Sequence, residues 1–227
     1  MAEDNKSALL ALRGNYESIL NNIEWNLAGF VSAAFIIINP KLLDLQAVPM
    51  RISVDGLDID GFQCLGLALI EKDRQPRANE LLAAAKRSLI CESLEVSADF
   101  LARAARIARC ERDPYARDDY FSVDMRELWN TKRGRAGSLL EEGDREFIEK
   151  CVAPLRNFIR HNNGKLPPRR SILYAGKPKS KEFNFSMVWS SDGTNDISAT
   201  LHIAHDVFVT LRDIGLAGFG RAQASSA

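Results

Sequence analysis

Apolar residues recur at helical spacing along most of the chain. Between about Ser7 and Ile38, the residues Ile19, Ile23, Leu27, Phe30, Val31 and Ala34 form a stripe with the period of an amphipathic helix. Asn39-Pro40 ends it, because proline restricts the residue before it and has no N–H to continue the ladder. The apolar run Trp25–Ile38 lies between Glu24 and Pro40 and is shorter than the ~20 residues that cross a bilayer. The expectation is a buried core helix and no membrane segment. Val48 to Asp60 alternates in polarity and turns at Asp55-Gly56, as a loop with a short strand or hairpin would. A short helix is expected from Gly61 to Lys72.

The clearest helix follows Pro76, a residue suited to a helix start, and runs to about Arg109 through many Ala and Leu. Ile90, Leu94, Ala98, Leu101, Ala105 and Ala108 form one apolar stripe, and Leu82, Ala85, Leu89 and Val96 a second. A helix apolar on two sides belongs in the middle of a bundle. Glu92 and Asp99 fall on the second stripe, where a carboxylate needs a partner. Arg109–Tyr120 is densely charged and reads as a loop; another helix is expected over Val123–Lys132, then a linker to Gly143. Asp144 is placed as the N-cap of a helix reaching about Asn162, with Asn163-Gly164 as its stop. β-like fragments near Ser171–Tyr174 and Phe183–Trp189 precede a last amphipathic helix over His202–Ile214.

The pattern therefore predicts a mainly α fold with a small β-hairpin-like insertion before the last helix. Residues 1–75 would supply an N-terminal helix and extension on the same core, 76–215 the main bundle, and 216–227 a disordered tail. Composition changes little in this picture: 46% hydrophobic and 26% charged residues are ordinary for a globular chain. The four cysteines, Cys64, Cys91, Cys110 and Cys151, form no CxxC pair. Cys91 and Cys110 sit in helical patterns, where a free thiol acts as a small hydrophobe. That usage and the acidic start MAEDNKS point to a reducing, cytoplasmic setting.

Candidate chemistry concentrates in Arg156-Asn157-Phe158-Ile159-Arg160-His161, followed by Asn162-Asn163-Gly164. Cleaving RNA through its own 2′-hydroxyl needs a base for that hydroxyl and an acid for the departing 5′-oxygen. Histidine suits either role near neutrality, and a guanidinium stabilises the charge gathered in the transition state. On a continuous helix, however, residues five apart diverge by about 140°. One chain then offers half of a nuclease site unless the helix unwinds at His161.

This string, an Arg and a polar residue, then an apolar position before His near a helix end, resembles the signature of the HEPN family of helical ribonucleases. Asp99 and Arg103 resemble, more loosely, the acid and base with three residues between them on an earlier helix of many members, with Asp in place of Glu. The resemblance spans about residues 76–215. It implies a HEPN-like helical bundle, a metal-independent endoribonuclease with Arg156, Asn157 and His161 as catalytic residues, and Asp99 holding Arg156 from behind. It also implies a homodimer in which paired motifs meet in one site holding two Arg and two His, no cofactor, and roles such as toxin or defence effector. Some HEPN proteins have lost activity, so a non-catalytic helical module that binds RNA or a separately encoded protein partner is the alternative.

Charge distribution adds to the RNA reading. The whole chain balances at 30 basic against 30 acidic residues, yet Arg156, Arg160, Lys165, Arg169, Arg170, Lys177, Lys179 and Lys181 follow one another with no acid between them. Such a strip attracts a phosphate backbone; by itself it also describes a solvated loop. His202 and His205 lie three apart and precede Asp206, but no cluster elsewhere in the sequence completes a metal site. Glu92 and Glu95 read as surface or ion-paired groups. No Walker loop, GxGxxG after a strand, or GxSxG elbow occurs.

Overall fold

The computed structural model describes residues 2–38, 51–54, 57–60, 74–109, 129, 135–161, 171–176, 178, 185–190 and 201–226. The protein is mainly helical. Helix α1 spans Ala2–Ile38, α2 Arg74–Arg87, α3 Ser93–Ala108, α4 Glu142–Phe147, α5 Ala153–His161 and α6 Leu201–Ser225. One π turn, Ser88–Glu92, joins α2 to α3, and a second, Ile148–Val152, joins α4 to α5. Strands β1 (Arg51–Val54) and β2 (Leu57–Asp60) pair antiparallel, as do β3 (Ser171–Gly176) and β4 (Phe185–Ser190), with Ser171 opposite Ser190 and Gly176 opposite Phe185. The helices expected over 61–72 and 123–132 and the loop 109–120 lie, apart from Arg109 and Trp129, outside the described residues.

Contacts divide the chain into two units, one of residues 1–24 and 86–227, the other of residues 25–85. In the larger unit, α1 buries Leu9, Leu12, Tyr16, Leu20 and Ile23. This face is offset from the expected stripe: Ile19 is 37% exposed, and the helix begins at Ala2 rather than near Ser7. α3 contributes Leu94, Ala98, Leu101, Ala104 and Ala105, and α6 contributes Val207, Phe208, Leu211, Ile214 and Phe219. Tyr16 ties the three helices together. Its hydroxyl bonds Ser97 Oγ at 2.9 Å and donates to the Leu211 carbonyl at 3.4 Å. Its ring lies 5.7 Å from that of Phe100 and 5.4 Å from that of Phe219. Burial holds its phenol in the neutral form by pushing the pKa well above the usual value.

The end of the chain and the start of α4 depart from the sequence expectation. The last helix does not stop at Ile214 before a disordered tail: it runs to Ser225, with Phe219 and Ala222 fully buried. Arg221 fastens this end by donating to the Leu139 carbonyl and pairing with Glu141 at 3.3 Å and with the buried Asp144 at 3.5 Å. Asp144 is accordingly inside α4, and Glu141, in extended conformation, is the N-cap residue.

In the smaller unit, Ala34 and Ile37 of α1 pack with Ala78 of α2, flanked by Leu81 and Leu82. Trp25 is 78% exposed and Ile38 43%, so the Trp25–Ile38 run is not wholly buried, where the pattern suggested a core helix. No helix among the described residues is long and apolar enough to cross a membrane.

Candidate functional site

Each helix that carries the site is entered through a π turn. Before α3, the Ser93 hydroxyl donates back to the Leu89 carbonyl, a competition for helix acceptors that favours local widening, and Ser88 Oγ donates to Glu92 at 2.7 Å. Before α5, the cause is Pro154. Proline lacks the N–H that an α-helix would aim at the carbonyl of Lys150, and its ring clashes with that carbonyl. Lys150 lies inside the π turn, where the wider winding takes up both defects, so α5 continues past Pro154 without a break.

α5 is strongly two-sided. Leu155 is fully buried, and so are Cys151 and Val152 in the turn before it, while Arg156 and Arg160, four apart, share the other face. Both guanidiniums converge on Glu95 of α3. Its Oε1 accepts from Arg156 Nη2 at 2.9 Å and Nε at 3.1 Å, and its Oε2 accepts from Arg160 Nη2 at 2.6 Å. Arg156 Nη1 donates to Asn157 Oδ1 at 3.2 Å. The side chains are 18% exposed for Arg156, 31% for Glu95 and 44% for Arg160, so the cluster stands at the rim of the core with the Arg160 side open to water.

Two cations against one carboxylate leave the cluster with an excess positive charge. Cys91, fully buried in the first π turn, lies within its field. Burial pushes that thiol up to about 11, while Arg160 lowers it, Glu95 raises it, and Arg156 and Arg87 lower it. Cys151 in the second π turn is pushed up to about 12 by burial. Neither thiol is a thiolate near neutrality.

The carboxylate behind Arg156 is therefore Glu95 and not Asp99, a correction of one helical turn. Asp99 holds Arg103 instead, through Oδ1 to Nε and Oδ2 to Nη2, each at 2.8 Å. Nothing in the amino-acid order could choose between them. Glu95 and Asp99 share a helix face, about 6 Å apart along the axis, and only the seating of α5 decides which one Arg156 meets. The π turn also shifts the phase of everything after it. The stripe drawn through Leu82, Ala85, Leu89 and Val96 fails beyond Glu92, for Val96 is only partly buried and Glu92 is exposed.

The helix runs through His161 as its final residue, so backbone positions 156 and 161 sit about 140° apart around one axis. Of the basic residues assigned to RNA, Arg160 joins the cluster; Lys165, Arg169, Arg170, Lys177, Lys179 and Lys181 lie outside the described residues. His205 packs its ring 6.1 Å from that of Phe208 and meets Glu24 at 3.3 Å, a carboxylate that also accepts from Arg212 at 3.4 Å. Among the described residues, no group of three or more His, Cys, Asp or Glu could hold a metal ion. No family model, curated protein or solved structure matches the chain.

Proposed function

We propose that the chain is a metal-independent endoribonuclease of HEPN-like helical-bundle type whose site is completed by a second copy. The observation that carries this reading is the convergence of Arg156 and Arg160 beside Asn157, an oxyanion-binding group with excess positive charge on a helix that ends at His161. The uninterrupted helix supports pairing, because positions 156 and 161 face different directions within one chain. In a two-fold homodimer, Arg156 of one copy can face His161 of the second.

In the proposed reaction, the 2′-oxygen of a ribose attacks the adjacent phosphorus as its proton is taken up, and the bond to the 5′-oxygen breaks. That oxygen receives a proton, giving a 2′,3′-cyclic phosphate and a 5′-hydroxyl with no net consumption of water. His161 carries the proton; Arg156, with Asn157 orienting its outer nitrogen, stabilises the charge on the non-bridging oxygens. The remaining basic residues of the strip hold the backbone. A protein of this kind would act in the cytoplasm on RNA, as a toxin or defence effector.

The test is a cleavage assay on mixed RNAs with analysis of the product ends. His161→Ala and Arg156→Ala should each slow cleavage by about 10²–10⁴-fold. Mixing these two inactive chains should restore part of the wild-type rate, since half the dimers are mixed and the shared site of each keeps one Arg156 and one His161 from different copies. Full activity in both single variants would remove the assignment. A second reading is favoured by Glu95, which already occupies two donors of Arg156. On that reading the chain is a non-catalytic helical module that binds RNA or a separately encoded protein, and the same assay would show binding without cleavage.

A further inference from the structure

Glu95 makes an arrangement unusual for a simple surface ion pair. One carboxylate spans two guanidiniums from a neighbouring helix, taking three charge-assisted hydrogen bonds on its two oxygens. The two arginines come from consecutive turns of α5, so their spacing is set by the helix and not by the carboxylate. Two oxygens bridging a pair of guanidiniums is also the geometry in which arginines take a phosphate group. The occupant is attached by a flexible side chain, and its Arg160 contact is the most exposed of the set.

We infer that Glu95 is an internal occupant of an oxyanion site built by Arg156 and Arg160, and that a phosphate group displaces it. The carboxylate keeps Arg156 folded down and partly neutralised while the site is empty. An arriving phosphate takes the Arg160 edge first, where water already reaches, and Glu95 then yields the Arg156 edge. The site is thereby held closed to weak anions and opened by one that contacts both arginines. Its identification with the RNA backbone rests on the ribonuclease reading; the exchange itself does not.

Replacing the carboxylate by an amide separates this inference from a purely structural role. Glu95→Gln should lower the melting temperature, and roughly 20 mM inorganic phosphate should restore it by about 3 °C or more at matched ionic strength. The control is Glu95→Gln combined with Arg156→Gln and Arg160→Gln, which reports the general stabilising effect of phosphate on any protein. An uncleavable 2′-O-methyl RNA oligonucleotide is tested alongside. Rescue by both supports exchange at an RNA-binding site. Rescue by phosphate alone supports the oxyanion site and counts against the ribonuclease reading. No rescue beyond the control overturns the inference, whether or not the wild-type chain cleaves RNA. Should Glu95→Gln not fold, the wild-type chain carries the test. Phosphate should shift the Arg156 Nε–Hε resonance saturably, and Arg160→Gln should weaken that titration about tenfold. An Arg156 resonance that does not move with phosphate also overturns the inference.

Discussion

Replacing Gly215 by alanine tests whether the tail of the chain is packed as described. A Cβ at this position would lie 2.0 Å from the Tyr16 hydroxyl oxygen and 2.6 Å from its ring carbon Cζ. Tyr16 is fully buried and cannot swing away cheaply. Ser97 and the Leu211 carbonyl hold its hydroxyl, and Phe100 and Phe219 flank its ring. Forcing a methyl group into such a contact costs up to about 3 kcal/mol, and the better helix propensity of alanine returns up to about 1 kcal/mol. The expected net loss is about 2 kcal/mol, or roughly 4–8 °C in melting temperature for a chain of this size. Urea titration followed by far-UV circular dichroism measures it, with an unchanged slope marking a true stability change. The Tyr16→Phe background provides an internal check. It removes the nearest atom and leaves Cζ, so Gly215→Ala should cost about 1 kcal/mol less there. An unchanged or raised midpoint for Gly215→Ala alone would refute the close approach of α6 to α1.

Truncation after Ile214 removes Phe219, Ala222 and the Arg221 clasp, and should leave the larger unit largely unfolded by circular dichroism; a native-like melt would show the tail dispensable. In a Cys64→Ser, Cys110→Ser background, the two remaining thiols should resist a disulfide reagent at pH 8 until denaturant is added, and fast native labelling would contradict their burial. Both thiols are raised, so their contribution to stability is full below the ordinary thiol range, near pH 8.5 or lower. It should fade as pH climbs through about 11 for Cys91 and about 12 for Cys151, and Cys151→Ala should flatten that alkaline loss. Cleavage should persist in excess EDTA and in His202→Ala, His205→Ala, since no proposed step calls for a metal; activity lost on chelation and restored by a divalent ion would move the chemistry elsewhere.

The helical character was legible because apolar spacing reports a buried face directly. The helical pattern drawn from Pro76 to Arg109 corresponds to α2, the first π turn and α3, and of the stripe Ile90, Leu94, Ala98, Leu101, Ala105 and Ala108 all but Ala108, which is partly buried, are fully or almost fully buried. What escaped was packing by small residues. Gly215, Gly218 and Ala222 carry little hydrophobic signal, so the end of α6 looked like a tail. Gly215 and Gly218 are small because side chains of α1 and α3 come close: a Cβ on Gly215 would meet the Tyr16 hydroxyl, and one on Gly218 would meet Leu101 Cδ2 at 2.6 Å. Hydrophobic periodicity detects the large side of such an interface and misses the small one.

The site was partly legible for a related reason. Arg156 and Asn157 are adjacent in the chain and bond each other, so a local motif is enough to mark them. Glu95 lies 61 residues before Arg156, and the contact depends on two π turns that no spacing rule anticipates. Each π turn adds one residue to a helical turn and rotates the face that follows by about 100° relative to an unbroken helix. Undoing the turn before α5 would carry Arg156 and Arg160 away from α3 together, since they ride on the same face. The buried residues oppose this: Cys151 and Val152 within the turn and Leu155 just after it anchor the same segment from the core side. Position at the site is thus set in part by apolar residues on the core side of this segment, and the arginines owe their convergence on Glu95 to how Pro154 is accommodated. A shared site would inherit the same constraint twice, once from each copy, which makes the phase of α5 the feature on which both the Arg156–Arg160 pair and the proposed pairing depend.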